Sequence, residues 1–174
     1  HSKHIPKIIH FNKKEALLIM EEIPETYEML TYPLLRGEVN YTIARKLGAF
    51  LAQCHNSTYN DKRLKEVFPI TEMVTKVKIG IFHDGFIECT NNPMIRKNIQ
   101  NVREKYFGNH IALVHGDVLP KNTMVNGDNF YLLDYEIAHM GDPAHDIGTI
   151  LACYLLPGII NYPIRKRYYR AANE

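Results

Sequence analysis

The sequence has little that would take it out of the ordinary globular class, and each absence narrows the choice. It has no apolar run long enough to cross a bilayer, which takes about 20 residues. The stretch LACYLLPGII (Leu151 to Ile160) is short, holds Pro157 and Gly158, and reads as a buried helix end. The opening HSKHIPKIIH has neither an apolar h-region nor a small-residue cleavage site. Cysteine is scarce: Cys54, Cys89 and Cys153 are odd in number and lack C-x-x-C spacing. That fits a reducing compartment, here the cytoplasm, better than a disulfide framework. The net charge is only +2, which gives no electrostatic case for nucleic acid or an anionic membrane as partner. No G-x-G-x-x-G, H-x-x-x-H or H-E-x-x-H occurs, and no internal repeat is visible.

What is present is a chain of 174 residues, 45% hydrophobic and 23% charged. This is the composition of a globular protein able to bury a core. Its length predicts one domain, or one domain plus part of another.

The pattern along the chain starts with strands. KIIHF (Lys7 to Phe11) is β-rich, NKK (Asn12 to Lys14) is a turn, and EALLIMEEI (Glu15 to Ile23) has the apolar centre of a buried strand, ended by Pro24. From Glu38 to His55 the period changes. Val39, Ile43, Leu47, Phe50, Leu51 and Cys54 mark one face of an amphipathic helix. Residues 56–90 have no clear period; FPITEMVTKVK and IGIFHDGFIECT read as loops with short helices. Asn92 and Pro93 supply an N-cap and a first helical residue for a helix over 92–107. Ile111 to His115 reads as a strand. Asn126-Gly127 between NTMV and FYLLDYE signals a hairpin. Asp146 is placed to cap a helix through IGTILACYLL, and Arg165 to Ala172 predicts a last helix. Its RKRYYR run reads as a solvated face, with nucleic-acid binding a weak second reading. Strands and helices segregate, which predicts an α+β fold rather than a doubly wound sheet.

The chemistry concentrates in LVHGDVLPKNTMV (Leu113 to Val125). Asp117 and Asn122 are spaced D-x-x-x-x-N, and Asp134 follows the second hairpin strand. A hairpin returns its second strand beside its first, so Asp134 is expected near Asn122. Carboxylate and amide oxygens are hard ligands that suit Mg²⁺ shared with phosphate oxygens. Asp117 is then available to take a proton from an attacking hydroxyl. This is the division of labour of kinase-type phosphoryl transfer.

Three segments, LVHGDVLPKNTMV, FYLLDYEIAHMGDPAHDIG and LGAFLAQCHNST, together resemble the aminoglycoside phosphotransferase and choline kinase superfamily of small-molecule kinases. The HGD-x-x-x-x-N loop, the D-x-E hairpin end and the GDP-x-x-D turn come in that family's order, and the resemblance runs from about Ile5 onward. It implies a protein-kinase-like C-terminal lobe. It implies Asp117 as catalytic base, Asn122 and Asp134 as Mg²⁺ ligands, ATP or GTP as co-substrate, and a small-molecule hydroxyl as acceptor. His115 and Asp146 would hold the loop in shape, and Glu136 would occupy the acidic position after the metal Asp. LIMEEI resembles the hinge, with Met20 lining the base pocket and the backbone of Glu21, Glu22 and Ile23 pairing with the base. On this reading residues 1–24 are a remnant of the nucleotide lobe plus hinge, and 25–174 are the helical lobe carrying the catalytic loop (113–136), with both ends cut. The Gly-rich loop and strand Lys of a full kinase do not occur in the chain.

Two other readings stand beside this one. A catalytically inactive binding or regulatory module would keep the same fold. A metallohydrolase would use His115, His139 and His145 with Asp117 and Asp142. Asp142, before Pro143, reads as a turn former.

Overall fold

Short polar side chains set where the long helices begin. In the computed structural model, which describes residues 3–78, 80 and 85–174, the elements run β1 (Ile8–Asn12), β2 (Leu17–Met20), β3 (Glu28–Met29), α1 (Thr31–Arg36), α2 (Tyr41–Ser57), α3 (Lys62–Val67), α4 (Glu72–Lys78), α5 (Gly85–Glu88), α6 (Pro93–Gly108), β4 (Ala112–Val114), β5 (Thr123–Asn126), β6 (Asn129–Leu132), β7 (His139–Gly141), α7 (Ala144–Ile160) and α8 (Arg165–Ala172). Asn92 Oδ1 accepts from the Met94 and Ile95 N–H groups, so α6 starts where the sequence predicts. The period over 38–55 becomes α2. It starts later than expected because Asn40 caps it, its Oδ1 accepting from Thr42 N at 2.9 Å and Ile43 N at 3.2 Å. The stretch without a clear period holds α3, α4 and α5, while residues 79 and 81–84 of it lie outside the described residues. The fold is α+β, with small sheets set apart from the helices.

The chain divides into two compact units. The first comprises His1–Ala49, Val118–Asp134 and Thr149–Glu174. It holds the β1-β2 ribbon and an antiparallel sheet in the order β3-β5-β6. In that sheet Glu28 and Met29 pair with Val125 and Met124, and Thr123 pairs with Leu132. Its core includes Leu34, Ile43, Leu47, Phe130, Leu132 and Tyr168. Each side chain of Leu size so removed from water contributes about 2 kcal/mol. The hairpin closes one residue beyond the Asn126-Gly127 signal. Asn126 pairs with Asn129, and the tight loop is Gly127-Asp128, with Gly127 at φ +54°. A glycine there takes the left-handed backbone at no steric cost.

The second unit comprises Phe50–Asp117 and Tyr135–Gly148. Its ladder is β4 against β7, with Ala112, Leu113 and Val114 opposite Gly141, Met140 and His139. Ile111 N–H extends it to Gly141 O at 3.0 Å, and Met140 N–H donates to Phe68 O at 2.8 Å. Phe50, Leu51, Val74, Tyr106 and Val114 are buried in this unit. β7 is not among the strands the sequence predicts: His139 and Met140 lie between FYLLDYE and the GDP turn, in a stretch too short to carry a strand signal of its own.

Three expectations need correcting. β2 is not a buried strand: Leu17, Leu18, Ile19 and Met20 are each 41–48% exposed. A two-stranded ribbon has two open faces, and among the described residues neither is covered. The LACYLLPGII run is not a buried helix end either. α7 continues through Pro157 to Ile160, and Leu156, Ile159 and Ile160 are exposed. Nor does Asp146 cap that helix. Asp142 does, its Oδ1 accepting from Ala144 N at 2.9 Å, because α7 begins two residues before Asp146. Among the described residues no single helix is long and apolar enough to cross a membrane.

Asn40 also ties the start of α2 to the hairpin tip. Its Nδ2 donates to Gly127 O at 3.0 Å and to Asp128 Oδ1 at 3.1 Å. Asn40→Ala is expected to cost about 1–2 kcal/mol of stability. A urea midpoint unchanged by the substitution would remove the cap from the account.

Candidate active site

The hairpin of the first unit brings two of the expected residues together. Pro120 to Asn122 form a single 3₁₀ turn leading into β5, and Thr123 Oγ1 donates to Leu119 O at 3.2 Å. Leu133 N–H then donates to Asn122 O at 2.8 Å, one step beyond the Thr123–Leu132 pair. Asn122 and Asp134 therefore stand at the same open end of one hairpin. Asn122 is buried, whereas Asp134 is exposed and has φ +70°. A non-glycine residue in the left-handed region is uncommon, and Asp is among the few that tolerate it. The backbones of an amide-bearing and a carboxylate-bearing residue thus lie a residue apart across the hairpin from one another. That donor chemistry fits Mg²⁺.

The second unit holds the loop His115-Gly116-Asp117, and Asp146 anchors it. The Asp146 carboxylate, 0% exposed, accepts from His115 N–H at 2.9 Å, from Gly116 N–H at 3.0 Å and from His55 Nε2–H at 2.9 Å. Burial opposes its charge, but the His55 ring and the two N–H groups outweigh that and hold the carboxyl below its ordinary range. His145 Nε2–H donates to Gly116 O at 3.1 Å, and Asp117 N–H donates to His115 Nδ1 at 3.2 Å. Gly116 has φ +84°, and a Cβ there would lie 2.9 Å from Ile137 O. Only glycine fits the turn that presents Asp117.

Met20 ends the exposed β2. Glu21 N–H donates to Lys7 O at 2.8 Å, and the Glu21 carboxylate accepts from Lys7 N–H at 3.2 Å. Glu22 is exposed and Ile23 half-buried, both outside any strand. Glu136 is exposed. The histidines proposed for a metallohydrolase are engaged otherwise. His139 Nδ1–H donates to Ile137 O at 2.8 Å, with its Nε2 3.3 Å from the Tyr106 hydroxyl, and His145 holds Gly116. Burial lowers the pKa of both, and for His145 the nearby charge of Lys78 adds to it. Among the described residues no group of three or more His, Cys, Asp or Glu is arranged to hold a metal ion.

Two residues escaped the sequence reading. His55 continues the Leu47-Leu51 spacing on the buried face of α2, so a polar side chain at a core position was the available signal. Lys78 ends α4, in the stretch without a clear period. Its Nζ lies 3.7 Å from Asp117 Oδ1, with side chains 4% and 18% exposed.

A family model, DUF1679, described as "Uncharacterized oxidoreductase dhs-27", matches residues 36–157, and the chain belongs to that family. Among curated proteins the chain is similar to Methylthioribose kinase 1 of Oryza sativa subsp. japonica, 22% identical over 178 residues, covering 88% of this chain and 41% of that protein. It is also similar to Methylthioribose kinase of Citrobacter koseri, 25% identical over 177 residues, covering 88% of this chain and 44% of that protein. The chain thus spans less than half the length of these relatives. The matches fall within the aminoglycoside phosphotransferase and choline kinase-like superfamily of small-molecule kinases.

The Asp146 anchor leads to a stability prediction. Asp146→Ala is expected to cost about 3–5 kcal/mol, because the His55 ring and two buried N–H groups lose their acceptor. The carboxyl is held below its ordinary 3.8, so its contribution is present above that pH and is lost as pH falls through the folded-state value. Urea unfolding of wild type and Asp146→Asn between neutral and acid pH checks the sign: the wild type should lose its advantage on acidification.

Proposed function

We propose that the whole protein containing this chain is a phosphotransferase of protein-kinase-like fold that moves the γ-phosphoryl group of ATP or GTP to a hydroxyl of a small molecule. In this reading residues 1–24 contribute a strand pair and hinge from the nucleotide side, and residues 25–174 form the lobe carrying the catalytic loop. The observation that supports it is the backbone adjacency of Asn122 and Asp134 at the open end of one hairpin, with Asp134 in a left-handed backbone. Non-glycine residues in such conformations cluster at functional sites.

Asp117 acts as the base. It accepts the proton of the acceptor hydroxyl as that oxygen bonds to the γ-phosphorus and the bond to the bridging oxygen breaks, releasing the nucleoside diphosphate. Asn122 and Asp134 would hold Mg²⁺, which when bound neutralises charge on the phosphates. Asp146 and His115 keep the loop in the shape that presents Asp117. Met20 to Ile23 border the nucleotide base. Most of the rate comes from positioning, since phosphoryl transfer leaves the protein little covalent chemistry. Methylthioribose, named in the relatives, is the first acceptor to try, followed by choline, an aminoglycoside and simple sugars.

The test is ADP or GDP release by the whole protein with the magnesium nucleotide and this acceptor panel. Asp117→Ala and Asp134→Ala should each lower kcat by about 100-fold or more. Full activity in both variants would overturn the assignment. Nucleotide binding without turnover would favour a binding module, and oxidoreductase turnover would favour the activity in the name of the matching family.

A further inference from the structure

The position of Lys78 is unlike that of an ordinary surface lysine. Within the same helix, Lys76 is 76% exposed and pairs with Glu72 one turn earlier at 2.8 Å. Lys78, two residues on, is 3% exposed. Taking an ammonium out of water costs several kcal/mol unless an opposite charge and hydrogen bonds compensate it. The carboxylate that lies 3.7 Å from its Nζ belongs to Asp117, the residue that the catalytic reading makes the base.

We propose that Lys78 is a positioning residue for Asp117, holding the carboxylate in place for proton abstraction; this rests on the phosphotransferase reading above. The geometry supports a role on the side chain distinct from the one exerted on the backbone. The main chain of the loop is fixed through Asp146, which accepts from the His115 and Gly116 N–H groups, and through the Asp117 N–H to His115 Nδ1 bond. None of these contacts sets where the Asp117 carboxylate points. Lys78 does. At 3.7 Å the contact is longer than a hydrogen bond, so the attraction is that of charge for charge. It constrains the carboxylate's place without this contact occupying the oxygen as a shared proton would. Proton abstraction depends on an oxygen held within hydrogen-bond reach of the acceptor, and small misplacements cost rate steeply.

The experiment is steady-state turnover of the whole protein with MgATP and the same acceptor panel, comparing Lys78→Met, Lys78→Arg, Asp117→Asn and the Lys78→Met/Asp117→Asn double variant. Lys78→Met is expected to lower kcat by about 30-fold or more while KM for MgATP stays within about twofold. Lys78→Arg, which keeps the charge, should recover most of the loss. In the Asp117→Asn background, Lys78→Met should cause no further loss, since the carboxylate it positions is gone. Should Lys78→Met fail to fold, Lys78→Gln set against Lys78→Arg makes the same comparison.

A Lys78→Met enzyme within about twofold of wild type in kcat, or an equal loss on the Asp117→Asn background, overturns the proposal. Turnover that depends on Asp117 but not on Lys78 sinks this proposal alone. Turnover that does not depend on Asp117, or none at all, sinks the phosphotransferase reading as well.

Discussion

One buried carboxylate organises the loop on which the candidate chemistry depends. Asp146 is fully enclosed and meets three donors, two of them consecutive backbone N–H groups of the His115-Gly116 turn. A charge so placed costs heavily unless its lone pairs are satisfied, and here the His55 ring and the turn satisfy it together. Neither partner is optional. Without the carboxylate, the turn has two buried donors with no acceptor; without the turn, the carboxylate is a charge in an apolar interior. Mutual need of this kind selects one backbone conformation out of the many an unanchored loop can visit.

The left-handed Gly116 follows from the same constraint. With both N–H groups aimed at Asp146, the chain reverses at a point where the Ile137 carbonyl leaves no room for a Cβ. In the first unit the equivalent organising force is the hairpin ladder. It sets Leu133 against Asn122 and so fixes the separation of Asn122 and Asp134 through backbone bonds, independent of side-chain packing. The two devices differ in character. One is electrostatic and sensitive to acid, the other a ladder of neutral hydrogen bonds.

Where local rules suffice, the sequence was legible. Asn92 before Pro93 marked the start of α6, the three-and-four spacing of Ile43, Leu47, Phe50 and Leu51 marked α2, and Asn126-Gly127 marked a hairpin within one residue of its true turn. Each depends on contacts within a few residues of chain. β2 was misjudged because an apolar run says that a strand is apolar, while its cover depends on what lies over its faces. Asp146 was placed at a helix start by the same local logic. Its actual partners, His55, His115 and Gly116, are 91, 31 and 30 residues away.

The sequence by itself determined the kinds of groups available and their order: an Asp and an Asn five apart, a second Asp past a hairpin, and glycines where the backbone turns. Those follow from residue chemistry and short-range backbone preference. Only the tertiary structure decided that His55 shares a carboxylate with the loop, and that a lysine from the unperiodic stretch is buried 3.7 Å from Asp117. Burial and charge pairing act through space, between residues far apart along the chain, so no spacing rule records them.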